Sequence, residues 1–127
     1  MTPKPIVVWS EIPVTDMTKA MAFYSSVFGF KLTLDSAGPN PIAVFNGAMD
    51  MIGGHLYPGK PAEDGRGTTL HLAVPDTLEE AAERCSAAGG EIISDPVPLP
   101  IGRFMYIKDP DGNSIGLFQS NLQDTPS

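Results

Sequence analysis

Three ionisable side chains, Glu11, His55 and His71, could support chemistry on a small molecule, and the two histidines are the only ones in the chain. A carboxylate can act as a general base or accept a hydrogen bond from a ligand. A carboxylate and two imidazoles are also suitable ligands for a divalent metal ion. Each residue has a structural interpretation too, since strand histidines are commonly hydrogen-bonded and Glu11 could be solvated or paired at an interface.

Three aromatic side chains could form the wall of a binding cleft around these groups. Trp9 shares a strand face with Glu11, because side chains two residues apart on a strand point the same way. Phe104 and Tyr106 share one face of a later strand, and Met105 and Ile107 share the other. One of these two pairs is expected to line the cleft. Glu11 is therefore the candidate catalytic residue. The candidate substrate-binding residues are Trp9, His55, His71, Phe104 and Tyr106.

The elements that would position the first group of residues begin with a β-branched strand at residues 6–13. A helix follows from its cap at Asp16 to Gly29. Three further strands are predicted at residues 30–35, 42–46 and 51–57. The buried face of the helix is predicted from its spacing to contain Ala20, Phe23, Tyr24, Val27 and Phe28.

The same order of elements returns after residues 58–67, which have several Gly and Pro residues and no hydrophobic period and are therefore predicted to be a linker. A strand at 68–74 precedes a helix that is capped at Asp76-Thr77 and ended by Gly89-Gly90. Its apolar face carries Leu78, Ala81, Ala82 and Cys85. The remaining strands are predicted at 91–94, 103–108 and 114–119, with a tight turn at 109–113 before the last one.

An internal repeat is the strongest architectural signal. Asp16 lies 13 residues before Gly29 and Asp76 lies 13 residues before Gly89, so the halves are offset by 60 positions. The pattern predicts an α+β fold in one domain, residues 1–127, with two βαβββ modules at about 6–57 and 68–119. Their mixed sheets are expected to face each other around a cleft that suits a small ligand.

The charge and composition of the chain restrict the classes of partner that it is expected to bind. The formal net charge of -7 argues against nucleic acid and anionic membranes, which need a basic surface. A single cysteine suits a reducing cytoplasm, and the chain contains no apolar run of membrane-spanning length. We expect a cytoplasmic protein whose partner is a small molecule.

Three motifs resemble the vicinal oxygen chelate superfamily, which includes glyoxalase I, extradiol dioxygenases, fosfomycin-resistance transferases and bleomycin-binding proteins. They are Trp9-Ser-Glu-Ile-Pro-Val-Thr-Asp16, Ala22-Phe-Tyr24 with Val27-Phe-Gly29, and Asp109-Pro-Asp-Gly-Asn-Ser-Ile-Gly-Leu117. The resemblance runs from about Ile6 to about Gln119 and lies nearest to small glyoxalase-like proteins of unassigned function. It implies paired βαβββ modules and a homodimer.

The resemblance also implies where a metal would bind, since metal-dependent members place one ligand on the first and last strand of each module. Those positions fall here on Trp9, on Gly53 or Gly54, on Leu70 and on Gly116, and the resemblance implies a glutamate at the last of them. None of these side chains coordinates a divalent cation, so we expect the standard metal site to be lost and no cofactor to be bound. A displaced site formed by Glu11, His55 and His71 is the open alternative.

Three functions stay open. The first is a glyoxalase-like lyase, isomerase or epimerase acting on a small metabolite in the cleft, with Glu11 moving protons. The second is a metal-free small-molecule or drug-binding protein of the bleomycin-resistance type. The third is a regulatory or scaffold domain without a ligand. The sequence leaves open the substrate and whether the cleft closes within one chain or across a dimer.

Overall fold

Two modules of one helix and one mixed sheet follow each other in the computed structural model, which describes residues 9–36, 38, 40–45, 53–62 and 64–121. The first sheet has the strand order β1-β4-β3-β2, with β1 parallel to β4. Its elements are β1 (Trp9–Val14), α1 (Met17–Phe28), β2 (Leu32–Asp35), β3 (Ile42–Phe45) and β4 (Gly53–Pro58). Predicted strand residues 6–8, 46 and 51–52, and the tail after residue 121, lie outside the described residues.

The second module repeats this plan with the strand order β5-β9-β8-β6, and β5 is parallel to β9. Its elements are β5 (Leu70–Ala73), α2 (Leu78–Ala87), β6 (Glu91–Ile92), β7 (Val97–Leu99), β8 (Gly102–Lys108) and β9 (Ser114–Ser120). The predicted α+β fold of two βαβββ modules is confirmed, although β2, β5 and β6 are shorter than predicted. None of the helices in the described part of the chain is long and apolar enough to cross a membrane.

One strand was not predicted. Residues Val97–Leu99 form β7, which pairs antiparallel with β8 and lies outside the main strand path. Pro98 occupies its centre, and a proline has no N–H to donate to a ladder. Such a strand is tolerated only at an edge or an irregular position, which explains why its sequence is typical of a loop.

The observed caps of α1 agree with the predicted ones, and those of α2 agree in part. The Asp16 side chain accepts from the Lys19 N–H, and Gly29 ends α1 with a φ of 72°, a left-handed conformation that glycine adopts without strain. In α2 the cap is Thr77 alone, whose side chain accepts from the Glu80 N–H. The five predicted core residues of α1 are buried, and α2 buries Leu78, Ala81 and Cys85 while Ala82 is half-buried.

The turn before β9 joins the two modules. The buried Asp109 carboxylate accepts hydrogen bonds from the Tyr24 hydroxyl at 2.7 Å and from the Asn113 side chain and backbone at 2.9 Å each. The same Asn113 amide donates to the Pro13 carbonyl of β1 at 2.8 Å. Burial, followed by the Asp109 charge, raises the pKa of Tyr24 well above its ordinary value. A motif that the sequence predicts to be a turn therefore also fixes the second module against the first.

The two helices pack against each other and against the sheets, and their buried residues form one core with those of the strands. The Arg84 guanidinium of α2 reaches the last turn of α1, where it donates to the Val27 carbonyl at 2.9 Å. Cys85 is fully buried, as predicted, and burial raises the pKa of its thiol to about 11. The opposite faces of the sheets carry the candidate site residues.

Candidate functional site

The parallel pairing of β1 and β4 brings three candidate residues together. Glu11 lies opposite His55 in the register, and Trp9 lies two residues before Glu11 on the same face. The Trp9 Nε1–H donates to His55 Nδ1 at 2.9 Å, and Glu11 Oε1 lies 3.5 Å from His55 Nε2. We call Trp9, Glu11 and His55 the first-module cluster.

The hydrogen bond from Trp9 determines which nitrogen of His55 carries the proton. An indole N–H can only donate, so His55 Nδ1 must present its lone pair to it. In the neutral imidazole the proton then sits on Nε2, on the side where Glu11 lies. A metal ion binds a histidine through an unprotonated nitrogen. Neither nitrogen of His55 offers a free lone pair, so the first-module cluster does not fit a metal ion.

A second group of candidate residues lies on the other sheet. The His71 ring meets Phe104 edge-on, with ring centroids 4.9 Å apart, and its centroid lies 5.8 Å from that of Tyr106. We call His71, Phe104 and Tyr106 the second-module cluster. Side chains alternate between the two faces of β8. Phe104 and Tyr106 are the more exposed to solvent, whereas Met105, on the other face, is buried in the core.

The His71 ring also covers Gly116, the position at which the resemblance implies a glutamate as metal ligand. Gly116 is paired with His71 in the register of β5 and β9. An ideal Cβ built on Gly116 would overlap this ring and lie 2.6 Å from its Cε1 atom. The structure therefore accommodates His71 by the absence of a side chain at Gly116, and a glutamate cannot occupy this position while the ring stays in place.

The remaining expected metal positions do not supply ligands either. Leu70 packs against the core, on the opposite face of β5 from the exposed His71. Gly54 pairs with Ser10, and the space for a side chain there is filled by the backbone of that residue. Among the residues that the structure describes, no group of three or more His, Cys, Asp or Glu side chains could hold a metal ion. The displaced set of Glu11, His55 and His71 is accordingly split between the two clusters.

A cavity of about 350 Å³ lies where β1 meets the beginning of β5 and β9. Its apolar lining includes Trp9, Ile12, Leu70 and Ile115, and we call it the Trp9 cavity. Glu11 lines it and also lines a neighbouring cavity of about 400 Å³ beside His55. With its side chain 65 % exposed, the Glu11 carboxylate is accessible to a ligand in either space.

Sequence reasoning missed Arg66, which lines the Trp9 cavity from the segment between the modules. The segment was predicted to be a linker because it lacks a hydrophobic period. The available signal in the sequence was an arginine between two glycines, Gly65 and Gly67, because glycines are common where the chain turns. In the structure both glycines adopt positive φ values, of 72° and 84°. These conformations indicate an ordered turn at the cavity.

Comparison with known proteins agrees with this architecture. A model of the Glyoxalase/Bleomycin resistance protein/Dioxygenase superfamily matches residues 6–117. The chain belongs to this superfamily. The family that the sequence motifs resemble is thereby confirmed.

Relatives within the superfamily are distant. "Putative glyoxylase CFP32" of Mycobacterium bovis is 29 % identical over 107 residues, which cover 83 % of this chain but only 40 % of the relative. A "Glyoxylase-like domain-containing protein" of Didymella fabae is 28 % identical over 109 residues, covering 82 % of this chain and 85 % of the relative.

Solved structures share the fold. TnmS3, an antibiotic binding protein from Streptomyces sp. CB03234, is 27 % identical with a TM-score of 0.60, covering 95 % of this chain and 100 % of that one. A fosfomycin resistance protein from Listeria monocytogenes has a TM-score of 0.64 at 17 % identity, covering 98 % and 97 % of the two chains. At that identity the second likeness concerns the fold alone.

Proposed function

We propose that this protein binds a small organic molecule in the Trp9 cavity without a metal ion of its own. The observation that carries the proposal is the hydrogen bond from Trp9 to His55, which occupies Nδ1 and leaves the proton of the neutral ring on Nε2, so that neither nitrogen offers a lone pair to a cation. The His71 ring above Gly116 supports it from the second module. The sequence left an enzyme and a metal-free binding protein open, and this geometry supports the binding protein.

The size and lining of the cavity suit a compact ligand. Binding sites for metabolites and drugs commonly have volumes of about 300–1,000 Å³ and mostly apolar walls with a few polar groups. The Trp9 cavity, at about 350 Å³, lies at the lower end of this range. The antibiotic binding protein from Streptomyces, which is similar over its whole length, supports a binding role for this chain.

Filling the cavity tests the proposal. Thr68 is an exposed residue at the rim, and Thr68→Trp places an indole in the space that a ligand would occupy. Thr33→Trp is a matched control, because Thr33 is exposed on β2 and does not line the cavity. Chelator-treated wild type and both variants are screened by thermal denaturation against metabolites and antibiotics, since a ligand that binds the native state raises the melting temperature.

The expected result is a set of compounds that stabilise wild type and the Thr33→Trp variant but not the Thr68→Trp variant. Circular dichroism establishes that both variants are folded before the comparison is made. Compounds whose stabilisation survives in the Thr68→Trp variant bind elsewhere on the protein, and that outcome contradicts the proposal.

The second candidate is a glyoxalase-like lyase or isomerase, favoured by the 3.5 Å approach of the Glu11 carboxylate to His55 Nε2. An accessible carboxylate could remove a proton from a bound metabolite, and the mycobacterial relative is named as a glyoxylase. Glu11→Gln should then abolish turnover, whereas in a binding protein it should weaken affinity only modestly. Glu83→Gln, on the exposed side of α2, is the matched control.

The predicted assembly and location belong to the same proposal. We expect a homodimer in the cytoplasm, and a dimer would bring further surfaces to the open faces of the sheets. Sedimentation equilibrium of the purified protein measures the assembly state directly, and a monomer at micromolar concentration would contradict the expected dimer.

A further inference from the structure

We infer that the Trp9 cavity recognises an organic anion through Arg66, so that its ligand combines an acidic group with an aromatic or apolar body. The inference rests on the proposed function, because it names the class of ligand for the same cavity. It comes from the charged groups that surround this space and from the way in which each is engaged.

Arg66 differs from the other two arginines of the chain in having no partner among the described residues. Arg84 donates to both carboxylate oxygens of Asp76, at 2.7 and 2.9 Å. Arg103 does the same with Glu79, at 2.9 and 2.6 Å. In a chain with 15 acidic and 8 basic residues, an arginine that lines a cavity and has no partner in the described part of the chain is a candidate to bind an anion supplied from outside.

The residues just before Arg66 are held against the second module, which places this exposed arginine at the rim of the cavity. The Gly65 N–H donates to the Gly112 carbonyl at 2.8 Å, which ties the segment to the turn before β9. The Asp64 carboxylate accepts from the Lys108 ammonium of β8 at 3.0 Å. These contacts tie Asp64 and Gly65 to the end of β8 and to the turn that precedes β9.

Two other polar side chains at the cavity, Asn113 and Glu11, do not compete with Arg66 for an anion. The Asn113 amide is already engaged with the Pro13 carbonyl and with Asp109. Glu11 is anionic and would repel an acidic group, although it can accept a hydrogen bond from a hydroxyl or an amine. A planar guanidinium binds carboxylates and related anions through paired hydrogen bonds. The apolar part of the ligand would then lie against Trp9.

Two probes of equal shape test the charge preference: 2-naphthoate, which carries a carboxylate, and 2-naphthamide, which is neutral. Because Trp9 is the only tryptophan, its indole N–H gives a single signal in a ¹⁵N-labelled sample that reports on the cavity. We expect 2-naphthoate to bind about tenfold or more tightly than 2-naphthamide, the value typical of one charge-assisted hydrogen bond.

Arg66→Gln should lower the affinity for 2-naphthoate to that for 2-naphthamide and leave the binding of the amide unchanged. Lys60→Gln is the matched control, because it removes one exposed positive charge from the same segment without touching the cavity. The dispersion of the amide spectrum establishes that each variant is folded.

Equal affinity for the two probes, or equal losses in the two variants, would overturn the role of Arg66 while leaving the cavity as a binding site. If neither probe shifts the indole signal at millimolar concentration, both this inference and the proposed use of the cavity are contradicted. A preference for the acid that disappears only in the Arg66→Gln variant supports the inference.

Discussion

Replacing Gly116 by alanine tests whether the His71 ring covers the position of the family's glutamate. The new Cβ would overlap the ring, which approaches the ideal Cβ position to 2.6 Å at Cε1. The obstructing atoms belong to an exposed side chain rather than to a backbone, so the ring can rotate away without separating the strands. His71 would then lose its contacts in the second-module cluster.

The magnitude follows from those contacts. The ring pairs with Phe104 and Tyr106 are at 4.9 and 5.8 Å, and well-packed aromatic pairs contribute about 0.5–1.5 kcal/mol each. On this open face we take the lower value, so losing both costs about 1 kcal/mol. Alanine is about 0.5 kcal/mol better than glycine within a strand. Gly116→Ala should therefore lower the free energy of unfolding by about 0.5 kcal/mol in wild type.

In a His71→Ala background the ring is absent, so Gly116→Ala should instead raise the free energy of unfolding by about 0.5 kcal/mol. The coupling between the two sites is thus about 1 kcal/mol, above the deviations of about 0.3–0.5 kcal/mol seen for independent sites. Urea denaturation of the four proteins, followed by circular dichroism, measures it. Additive effects would refute the placement of His71 above Gly116.

Three further predictions concern the framework of the site. Gly54→Ala places a Cβ against the Ser10 carbonyl of β1, so it should cost about 2 kcal/mol in urea denaturation. Gly53→Ala, with nothing within 4 Å, should change stability by less than about 0.5 kcal/mol, and equal effects would contradict the strand pairing. The raised pKa of the Cys85 thiol, about 11, means that stability present below pH 9 is lost as the pH rises towards 11. Wild type should lose up to about 1.4 kcal/mol per pH unit more than Cys85→Ala in the middle of this window, and parallel curves would argue against a buried thiol. Tyr24→Phe removes a hydrogen bond to a buried carboxylate and should cost about 2 kcal/mol in urea denaturation, whereas an unchanged midpoint would contradict that bond.

The elements of this fold could be predicted because their signals are local. The cap at Asp16, the stop at Gly29 and the spacing of the buried helix residues all lie within one helix and are independent of tertiary contacts. The internal repeat, with its offset of 60 residues, then predicts the elements of the second module from those of the first. The strand β7 was missed because Pro98 argues against a strand until a neighbouring edge is known.

The site was only partly predictable because it depends on register and on side-chain orientation. The faces of β1 follow from alternation, so Trp9 and Glu11 could be grouped in advance. The hydrogen bond to His55 depends on the register of β1 against β4, which are separated by more than 35 residues. Arg66 was passed over because a segment rich in Gly and Pro is typical of a linker, and only the tertiary structure places it at a cavity.

The measurement that tests the central claim most directly is the metal content and melting temperature of the protein after incubation with Ni, Zn, Mn and Fe(II) ions in turn. A site in which Trp9 occupies the Nδ1 atom of His55 predicts no stoichiometric ion and no rise in the melting temperature. A stoichiometric ion that stabilises wild type, and that is lost from both the His55→Ala and Glu11→Gln variants, would contradict the account and make the first-module cluster a metal site.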